Sequence, residues 1–346
     1  MLELKNISKV YGDFALRNIN LGIKEGEYFV LLGRSGAGKS QLLELIAGLR
    51  SPDTGRIYVK GKDITNEKIQ KRKTGMVFQD FAIFPHLTVY DNIAYSLKIR
   101  KLKRSVIDTR VRGMAYNVNI SHLLNRKTNE LSGGERQRIA VARTLVTSPE
   151  IILLDEPMAS IDATLRDDVR RLLRKINAMG ITILHVTHDY REAVRLASRV
   201  GVIHNGRILQ TGEPDMVFSK PVNKFVARFA GIRNFFSVKI LSDKDRNIAE
   251  SGSNRYMLPP GDYATDGLLM VRSDAISLSE IQQKDCENCL KGRITEINRA
   301  ENGYEVFVDA GDIFHVLISL KEIKKLSPEV NKYVFLCFRG GDMQII

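Results

Sequence analysis

Residues 33–40 read Gly33-Arg34-Ser35-Gly36-Ala37-Gly38-Lys39-Ser40, a full match to the pattern G-x-x-x-x-G-K-[S/T]. The apolar run Tyr28–Leu32 predicts a buried strand before it, and Leu42–Gly48 has the spacing of an amphipathic helix that ends at glycine. In this strand–loop–helix context the backbone N–H groups surround phosphate oxygens, the lysine reaches the β- and γ-phosphates, and the hydroxyl binds Mg²⁺. The stretch therefore predicts an α/β nucleotide-binding fold.

A second apolar run, Ile151–Leu154, ends in the carboxylates Asp155 and Glu156. Two acidic residues after a strand are, taken alone, typical of an ordinary turn. Hydrolysis of a triphosphate, however, needs charge neutralisation and a positioned water. Together with the phosphate loop, the pair predicts that Asp155 approaches the Mg²⁺ held by Ser40 through water. Glu156 is then expected to orient or deprotonate the attacking water.

The stretch between these two elements reads Leu131-Ser132-Gly133-Gly134-Glu135. Ser132 and Glu135 have the spacing of a helix capping box, and Glu135–Val146 has helical periodicity. Two glycines at a capped helix N-terminus permit close approach to an anion. A phosphate loop, this pentapeptide and the acidic strand end, in that order, resemble the ATP-binding cassette (ABC) family.

The resemblance implies further site residues for ATP and Mg²⁺. The family places a glutamine after one strand and a histidine after another, both near the γ-phosphate, and Gln79 and His188 match them. Gln79 is also expected as a Mg²⁺ ligand. Tyr11 matches an aromatic residue that stacks on adenine, whereas His185, on the opposite face of its strand, is interpreted as structural.

The resemblance also implies a homodimer. In the family, the helix that begins at the pentapeptide faces the γ-phosphate bound by a second copy, so Ser132, Gly133 and Gly134 are expected to contact that nucleotide. Asp162 matches a dimer-contact aspartate. The usual serine–alanine order is inverted at Ala159 and Ser160, which removes the basis for a serine-specific contact there.

Composition indicates a soluble globular chain of two domains. The 346 residues are 43% apolar and 27% charged, and no apolar run reaches the length of a membrane helix. Three cysteines are too few for a disulfide framework, which favours a reducing cytosol. Cys286 and Cys289 have the spacing of half a zinc site but lack a second pair, and are interpreted as ordinary thiols.

The positive charge lies in the first part of the chain. Residues 1–230 carry 38 Lys and Arg against 23 Asp and Glu, whereas residues 231–346 carry 15 against 17. The basic segment Lys98–Arg112 is interpreted as a solvated helical face or as attraction to an anionic cytoplasmic leaflet. No nucleic-acid partner is expected, because no aromatic residues alternate with the basic ones as a stacking surface requires.

Alternating strands and helices predict a parallel sheet for residues 1–230, with a helical subdomain at about 81–147. Residues 231–346 contain short strands and frequent turns, typical of a small β-barrel. We therefore expect an α/β phosphate-loop ABC ATPase domain followed by an all-β, OB-like regulatory domain of the TOBE/MOP type.

The second domain resembles those that follow the cassettes of bacterial and archaeal importers. Four stretches resemble segments of molybdate-binding-type domains, which points to molybdate or tungstate as cargo. They are Val271–Leu278, Asn288–Ile294, Phe314–Ser319 and Leu326–Pro328. Ser319 and Lys321 are candidate donors to a regulatory oxyanion. A shortened stretch after Ser319 leaves a purely structural dimer contact open.

The resemblance implies an importer ATPase on the cytoplasmic face of the membrane, bound peripherally to permease subunits. The apolar segment Phe81–Thr88 after Gln79 is the expected docking surface, although core packing is an alternative. A solute-binding protein would act indirectly. One set of competing hypotheses keeps the importer role with another cargo: sulfate, iron(III), polyamine or sugar. The others are a soluble ABC ATPase acting on ribosomes or nucleic acid, and a nucleotide-binding regulator without hydrolysis.

Overall fold

The computed structural model describes residues 1–159, 161–243, 246–283, 285–300 and 303–346. Ser160, half of the inverted serine–alanine pair, lies outside the described residues. The chain divides into two compact units, Met1–Val217 and Phe218–Ile346. This division comes before the expected boundary after residue 230. The Lys224 ammonium and the Arg228 guanidinium lie 5.0 and 5.9 Å from the ring centre of Phe235, and so join the helix before residue 230 to the second unit.

The strands of the first unit are β1 (Leu2–Tyr11), β2 (Phe14–Ile23), β3 (Tyr28–Leu32), β4 (Thr54–Val59), β5 (Lys62–Asp63), β6 (Thr74–Val77), β7 (Ile151–Asp155), β8 (Thr182–Thr187), β9 (Arg199–His204) and β10 (Arg207–Gly212). Its helices are α1 (Lys39–Ala47), α2 (Val89–Ile99), α3 (Arg104–Asn117), α4 (Gly133–Leu145), α5 (Ala163–Ala178) and α6 (Tyr190–Leu196). A further helix, α7 (Pro214–Ser219), runs across the division.

The central sheet of the first unit has the order β10-β9-β3-β8-β7-β6. Its strands are parallel except for the edge strand β10, which pairs antiparallel with β9. Strands β3, β7 and β8 are buried along their whole length, as expected for a parallel sheet covered on both faces. The carboxyl ends of β3, β6, β7 and β8 meet at one edge, which carries the phosphate loop, Gln79, Glu156 and His188.

A four-stranded antiparallel sheet, β2-β1-β4-β5, lies beside the central sheet and was not predicted from the motifs. The buried faces of β1 and β2 share one hydrophobic core with α1, β3 and β7, in which Leu4, Ile19, Leu42 and Leu153 are at most 2% exposed. The phosphate-loop helix is therefore held between two sheets.

Three α-helices, α2 to α4, occupy the chain between β6 and β7, within the predicted helical subdomain. Two of them begin at side-chain caps. Thr88 accepts a hydrogen bond from the Asp91 amide (3.1 Å), and Ser132 forms the predicted capping box with Glu135. No helix among the described residues combines the length and the apolar character that a membrane crossing requires.

The second unit is β-rich. Its strands are β11 (Asn234–Asp243), β12 (Arg246–Ser251), β13 (Asn254–Leu258), β14 (Asp266–Val271), β15 (Ser277–Ser279), β16 (Asn288–Ala300), β17 (Gly303–Asp309), β18 (Ile313–Ser319), β19 (Tyr333–Phe338) and β20 (Met343–Ile345). Helix α8 (Lys224–Phe229) precedes them, and α9 (Leu320–Leu326) follows β18.

These strands pair as two five-stranded antiparallel sheets, β13-β12-β11-β14-β20 and β15-β19-β16-β17-β18. Tyr256, Phe314 and Phe338, each at most 2% exposed, lie in the shared core. The short strands expected for residues 231–346 are present, whereas helix α9 was not predicted. The pairing supports a β-rich unit without identifying it as an OB-type barrel.

Candidate active site

The phosphate loop has a backbone that only glycine accommodates at two points. Gly38 is the N-cap of α1 with φ of 102°, and a Cβ there would lie 2.6 Å from Leu16 Cδ2 and 2.7 Å from Phe14 Cζ. A Cβ on Gly33 would lie 2.8 Å from both Ile203 Cγ2 and the Ile203 carbonyl oxygen. Both glycines are therefore required by close packing against the surrounding strands and loops.

Lys39 is the first residue of α1, and only 6% of its surface is exposed. Its ammonium donates to the carbonyls of Gly33 (2.8 Å) and Arg34 (3.3 Å), and lies 3.3 Å from Glu156 Oε1. The lysine therefore holds its charge at the carboxyl edge of the sheet, directly beside the acidic strand end. An ammonium with three donors in this position suits a polyphosphate.

The N-terminus of α1 points its unpaired amides into the same region, because the first turn of a helix has no internal partners for its N–H groups. The exposed part of the loop consists of Arg34, Ser35 and Gly36, whereas Ala37 is buried. Open backbone amides, a helix dipole and a buried ammonium fit a triphosphate.

Ser40 and Asp155 form the candidate Mg²⁺ site. The Ser40 hydroxyl donates to Asp155 Oδ1 at 3.0 Å, and Asp155 is 7% exposed. Burial raises the pKa of Asp155, with Glu156 adding to the shift, while the Ser40 hydrogen bond and Lys39 oppose it. A hydroxyl and a carboxylate are hard oxygen donors of the kind that Mg²⁺ takes together with substrate phosphate and water.

Within the described ranges no group of three or more His, Cys, Asp or Glu side chains forms a protein-only metal site. Gln79, the other predicted Mg²⁺ ligand, is exposed in the turn after β6. No hydrogen bond joins it to Ser40 or Asp155 in the part of the chain that the structure describes.

Glu156 has φ of 45°, in the left-handed region that non-glycine residues avoid. Its amide donates to the Val186 carbonyl (3.0 Å), which fixes the backbone against β8. Its Oε2 accepts from the Thr187 hydroxyl (3.3 Å) and lies 2.9 Å from His188 Nδ1. The strained backbone thus aims the carboxylate at Lys39 on one side and at His188 on the other, the kind of strain that clusters at active sites.

The two histidines of β8 and its end differ as the sequence predicts. His188 has 60% of its side chain exposed and faces the site. His185 is fully buried, with Nδ1 3.1 Å from the Tyr28 hydroxyl and Nε2 3.3 Å from Glu192 Oε2. His185 is therefore structural.

Tyr11 ends β1 and is partly buried against the core of the first unit. The guanidinium of Arg50 lies 5.7 Å from its ring centre. A cation therefore already lies over the ring that the resemblance assigns to adenine. Burial raises the pKa of Tyr11, with Glu44 adding to the shift.

Ser132, Gly133 and Gly134 begin α4, and Asp162 is the N-cap of α5. The side chains of Ser132 and Asp162 are exposed. Among the described residues, no hydrogen bond or ion pair joins these four residues to the phosphate loop of their own chain. The structure therefore brings Lys39, Ser40, Asp155, Glu156 and His188 together, and leaves the Ser132 helix on a separate surface.

Two residues that sequence reasoning missed support this site. The Thr187 hydroxyl donates a hydrogen bond to Glu156. Its position directly before His188 is the sequence feature that could have identified it as a site residue. Arg72 is 3% exposed and donates to the carbonyls of Leu45 (2.7 Å) and Ile46 (3.1 Å) at the C-terminus of α1. No local pattern predicts the contact of Arg72 with α1, because Leu45 and Ile46 precede it by 27 and 26 positions in the sequence.

In the second unit, Ser319 is the N-cap of α9 rather than an open donor. Glu322 Oε2 accepts from the Ser319 amide (2.8 Å) and hydroxyl (2.6 Å), and these hydrogen bonds lower the pKa of Glu322. An oxyanion at Ser319 would have to displace that carboxylate. Lys321 is exposed beside it.

Comparisons with known proteins identify the family of this chain. The family model described as ABC transporter matches residues 16–159. The molybdate/tungstate import ATP-binding protein of Pyrococcus horikoshii is 38% identical over 347 residues, covering 100% of this chain and 99% of that protein. The trehalose/maltose import ATP-binding protein of Thermococcus litoralis is 41% identical over 278 residues, 78% of this chain and 74% of that protein.

Solved structures give the same result for the first unit. A cassette from Clostridium perfringens, part of an ABC transporter complex, has a TM-score of 0.59 at 33% identity and covers 63% of this chain and 90% of its own. A dimeric ATP-binding cassette in a post-hydrolysis state with ADP and Pi has a TM-score of 0.56 at 32% identity, covering 62% and 99%. Because the 38% identical relative spans the whole chain and the family model includes both the phosphate loop and the acidic strand, the chain belongs to the ABC transporter family, as an ATP-binding subunit with ATPase activity.

Proposed function

We propose that this chain hydrolyses ATP to drive the import of molybdate or tungstate through a separate permease. The cargo assignment is carried by one observation, the alignment of the entire chain with a molybdate/tungstate import ATP-binding protein. Trehalose/maltose and spermidine/putrescine import proteins are also similar, at 41% and 36% identity over shorter stretches. These are the alternative cargo classes.

The contacts at the site support the proposed roles of Lys39, Ser40, Asp155, Glu156 and His188, whereas the role of Gln79 comes from the family resemblance alone. Lys39 and the amides of the loop bind the phosphates, while Ser40, Asp155 and Gln79 hold Mg²⁺, which neutralises phosphate charge when bound. Glu156, between Lys39 and His188, takes a proton from water or orients it. His188 holds the carboxylate in place and lies near the γ-phosphate side of the loop.

We propose that the ATPase works as a homodimer. At the N-terminus of α4, Ser132 is exposed, Gly133 is partly exposed and Gly134 is buried, and the helix dipole there favours an anion brought by a second copy. Asp162 is exposed at the start of α5 and suits a contact between copies. The similar dimeric cassette with ADP and Pi supports this arrangement.

The permease is proposed to dock near Phe81–Thr88, from the cytoplasmic face of the membrane. Phe81 is buried, whereas Pro85 and His86 are exposed. Asn92, fully buried, holds this segment in place by accepting from the Phe84 amide (2.8 Å) and donating to the Phe84 carbonyl (3.1 Å). A rigid, partly apolar surface of this kind suits a docking helix.

Residues 231–346, which lie in the second unit, are proposed to form a regulatory domain of the TOBE/MOP type. The two β-sheets support this class. An oxyanion bound at Ser319 and Lys321 competes with the Glu322 carboxylate for the Ser319 hydroxyl. A thermal-shift screen of the full chain with molybdate, tungstate and sulfate tests this part. A shift with molybdate that increases in Glu322→Gln supports the site, and no shift in either protein contradicts it.

The transport proposal is tested by uptake of labelled molybdate, tungstate and sulfate in a strain that lacks the gene. We expect molybdate and tungstate uptake to fall and to return with the wild-type chain but not with Glu156→Gln. Loss of sugar or polyamine uptake instead would assign the alternative cargo. Unchanged uptake of every solute would contradict the importer function.

A further inference from the structure

The three cysteines of the chain converge in the second unit. Cys289 on β16 and Cys337 on β19 are direct partners in the antiparallel ladder, and their sulfur atoms are 2.9 Å apart although 48 positions separate them in the sequence. Two thiols at this distance already touch. The register of the sheet, rather than the local Cys286–Cys289 spacing, creates the pair.

Cys286 lies against the same pair. Its sulfur is 3.3 Å from the carbonyl oxygen of Asn288 and 3.3 Å from that of Phe338. Asn288 directly precedes Cys289, and Phe338 directly follows Cys337. The third thiol is therefore placed beside both strands at the level of the other two.

The backbone permits a bond between Cys289 and Cys337. Directly opposed residues of an antiparallel pair have Cα atoms about 4.5–5.5 Å apart, which falls inside the range of about 4.4–6.8 Å found in disulfides. The bond therefore needs no movement of the strands. Cysteines whose Cα atoms lie outside this range cannot form a disulfide without movement of the backbone.

We propose that Cys289 and Cys337 are a reversible thiol–disulfide exchange site for small-molecule disulfides such as oxidised glutathione. The Cys289 thiolate attacks one sulfur of the incoming disulfide and releases one thiolate, which leaves a mixed disulfide on Cys289. Cys337 loses its proton, attacks the Cys289 sulfur and releases the second thiolate. Both cysteines lose a hydrogen, and the small disulfide is reduced to two thiols.

The order of attack follows from exposure. Cys337 is 2% exposed, whereas Cys286 and Cys289 are partly exposed, so an incoming disulfide meets Cys289 before Cys337. Burial, followed by the neighbouring Cys289, raises the pKa of Cys337 to about 12. Cys337 is thus the less reactive thiol at neutral pH, so the exchange starts at Cys289. Cys337 resolves the mixed disulfide because its sulfur already lies 2.9 Å from that of Cys289.

A structural metal is the main competing explanation for three neighbouring thiols. A zinc site needs four ligands in tetrahedral geometry, of which three would come from these cysteines. No group of three or more His, Cys, Asp or Glu side chains in the described ranges has an arrangement that holds a metal. The cross-strand distance favours a bond between two sulfurs instead.

The test is a glutathione titration of the full native chain, followed by alkylation of free thiols and mapping of cystine-linked peptides. We expect two of three thiols to be lost in oxidised glutathione, a single linkage between Cys289 and Cys337, and full recovery in reduced glutathione. Cys289→Ser and Cys337→Ser should each abolish the linkage. Cys286→Ser is the matched control, which should keep it.

Circular dichroism of every variant shows whether it has folded, and the mapping of the wild-type chain stands even where a variant fails to fold. A linkage between Cys286 and Cys289, or three free thiols after incubation with oxidised glutathione, would overturn the proposal. So would a zinc ion that co-purifies with the chain and protects all three thiols from alkylation.

Discussion

Lys39 Nζ lies 3.3 Å from Glu156 Oε1, so the loop lysine and the carboxylate proposed to activate water hold each other at the carboxyl edge of the sheet. Both side chains are nearly buried, with 7% and 11% exposed. An ion pair in such a setting is screened far less than a surface pair. We therefore expect phosphate oxygens and Glu156 to compete for this ammonium, which would link nucleotide binding to the position of the carboxylate.

The first prediction concerns Glu156→Gln. The amide keeps the size of the side chain but cannot act as a base, and its neutral oxygen competes with phosphate for Lys39 more weakly than the carboxylate does. We expect ATP turnover to fall by about 10²- to 10⁴-fold, the usual contribution of a general base, while ATP affinity is unchanged or higher. Phosphate release and calorimetric titration measure the two quantities.

Gel filtration with ATP gives a further readout for this variant, because slow hydrolysis should trap a dimer. Glu25→Gln is the matched control, since Glu25 pairs with Lys60 on the surface, where 67% of its side chain is exposed. Only monomer in the presence of ATP would contradict the role of Ser132 and Gly134 toward a second copy.

The second prediction concerns Lys39→Ala. Removing the ammonium takes away a charge-assisted hydrogen bond of about 1.5–3 kcal/mol, so ATP affinity should fall by about 10- to 100-fold. Lys39→Met, which fills more of the buried space, should show the same loss of affinity with a smaller loss of stability. Lys60→Ala, in an exposed pair, should bind ATP normally. If the wild-type chain and all three variants bound ATP with equal affinity, the assignment of Lys39 to phosphate binding would be wrong.

The third prediction separates two glycines of the loop. Gly36 has φ of 79° and nothing within 4 Å of a Cβ, whereas Gly38 has φ of 102° and would place a Cβ 2.6 Å from Leu16. Gly36→Ala should lower the free energy of unfolding by about 1–2 kcal/mol, the strain of the left-handed region. Gly38→Ala should lower it further, because side chains must also move.

Urea denaturation of the first unit measures these differences. Gly113→Ala is the control, because Gly113 lies inside α3 with open space around a Cβ. That change should raise the free energy of unfolding by about 0.5–1 kcal/mol. Equal destabilisation by Gly36→Ala and Gly38→Ala would show that packing around Gly38 has no effect.

The fourth prediction is a pH dependence at His315. Burial lowers the pKa of His315 below the ordinary 6.5, and Arg233 adds to the shift, while Glu305 opposes it. The folded chain therefore binds fewer protons at this site than the unfolded chain. The contribution of His315 to the free energy of unfolding is fully present above pH 6.5 and is lost as the pH falls below that value.

Thermal unfolding between about pH 7.5 and about pH 5.5 tests this dependence in the window where histidines titrate. His315→Gln should flatten the slope, and His122→Gln, at an exposed position, should leave it unchanged. An unaltered slope in His315→Gln would assign the dependence to another group.

The sequence by itself determined the local elements and the chemistry that they carry. The phosphate loop, the strand that ends at Asp155 and the Ser132 capping box are set by residues that are neighbours in the chain, so apolar runs, glycine positions and cap spacing were enough to predict them. The opposite strand faces of the two histidines also predicted that His185 is structural.

Tertiary structure alone decided which distant residues meet. The Thr187 hydroxyl on Glu156, the buried Arg72 under α1 and the Cys289–Cys337 pair all depend on strand register or on packing between remote segments. The antiparallel sheet β2-β1-β4-β5 and the division at Val217 have the same origin. Long-range pairing leaves no periodic signal in a single sequence, because each partner satisfies its own local pattern wherever the other one lies.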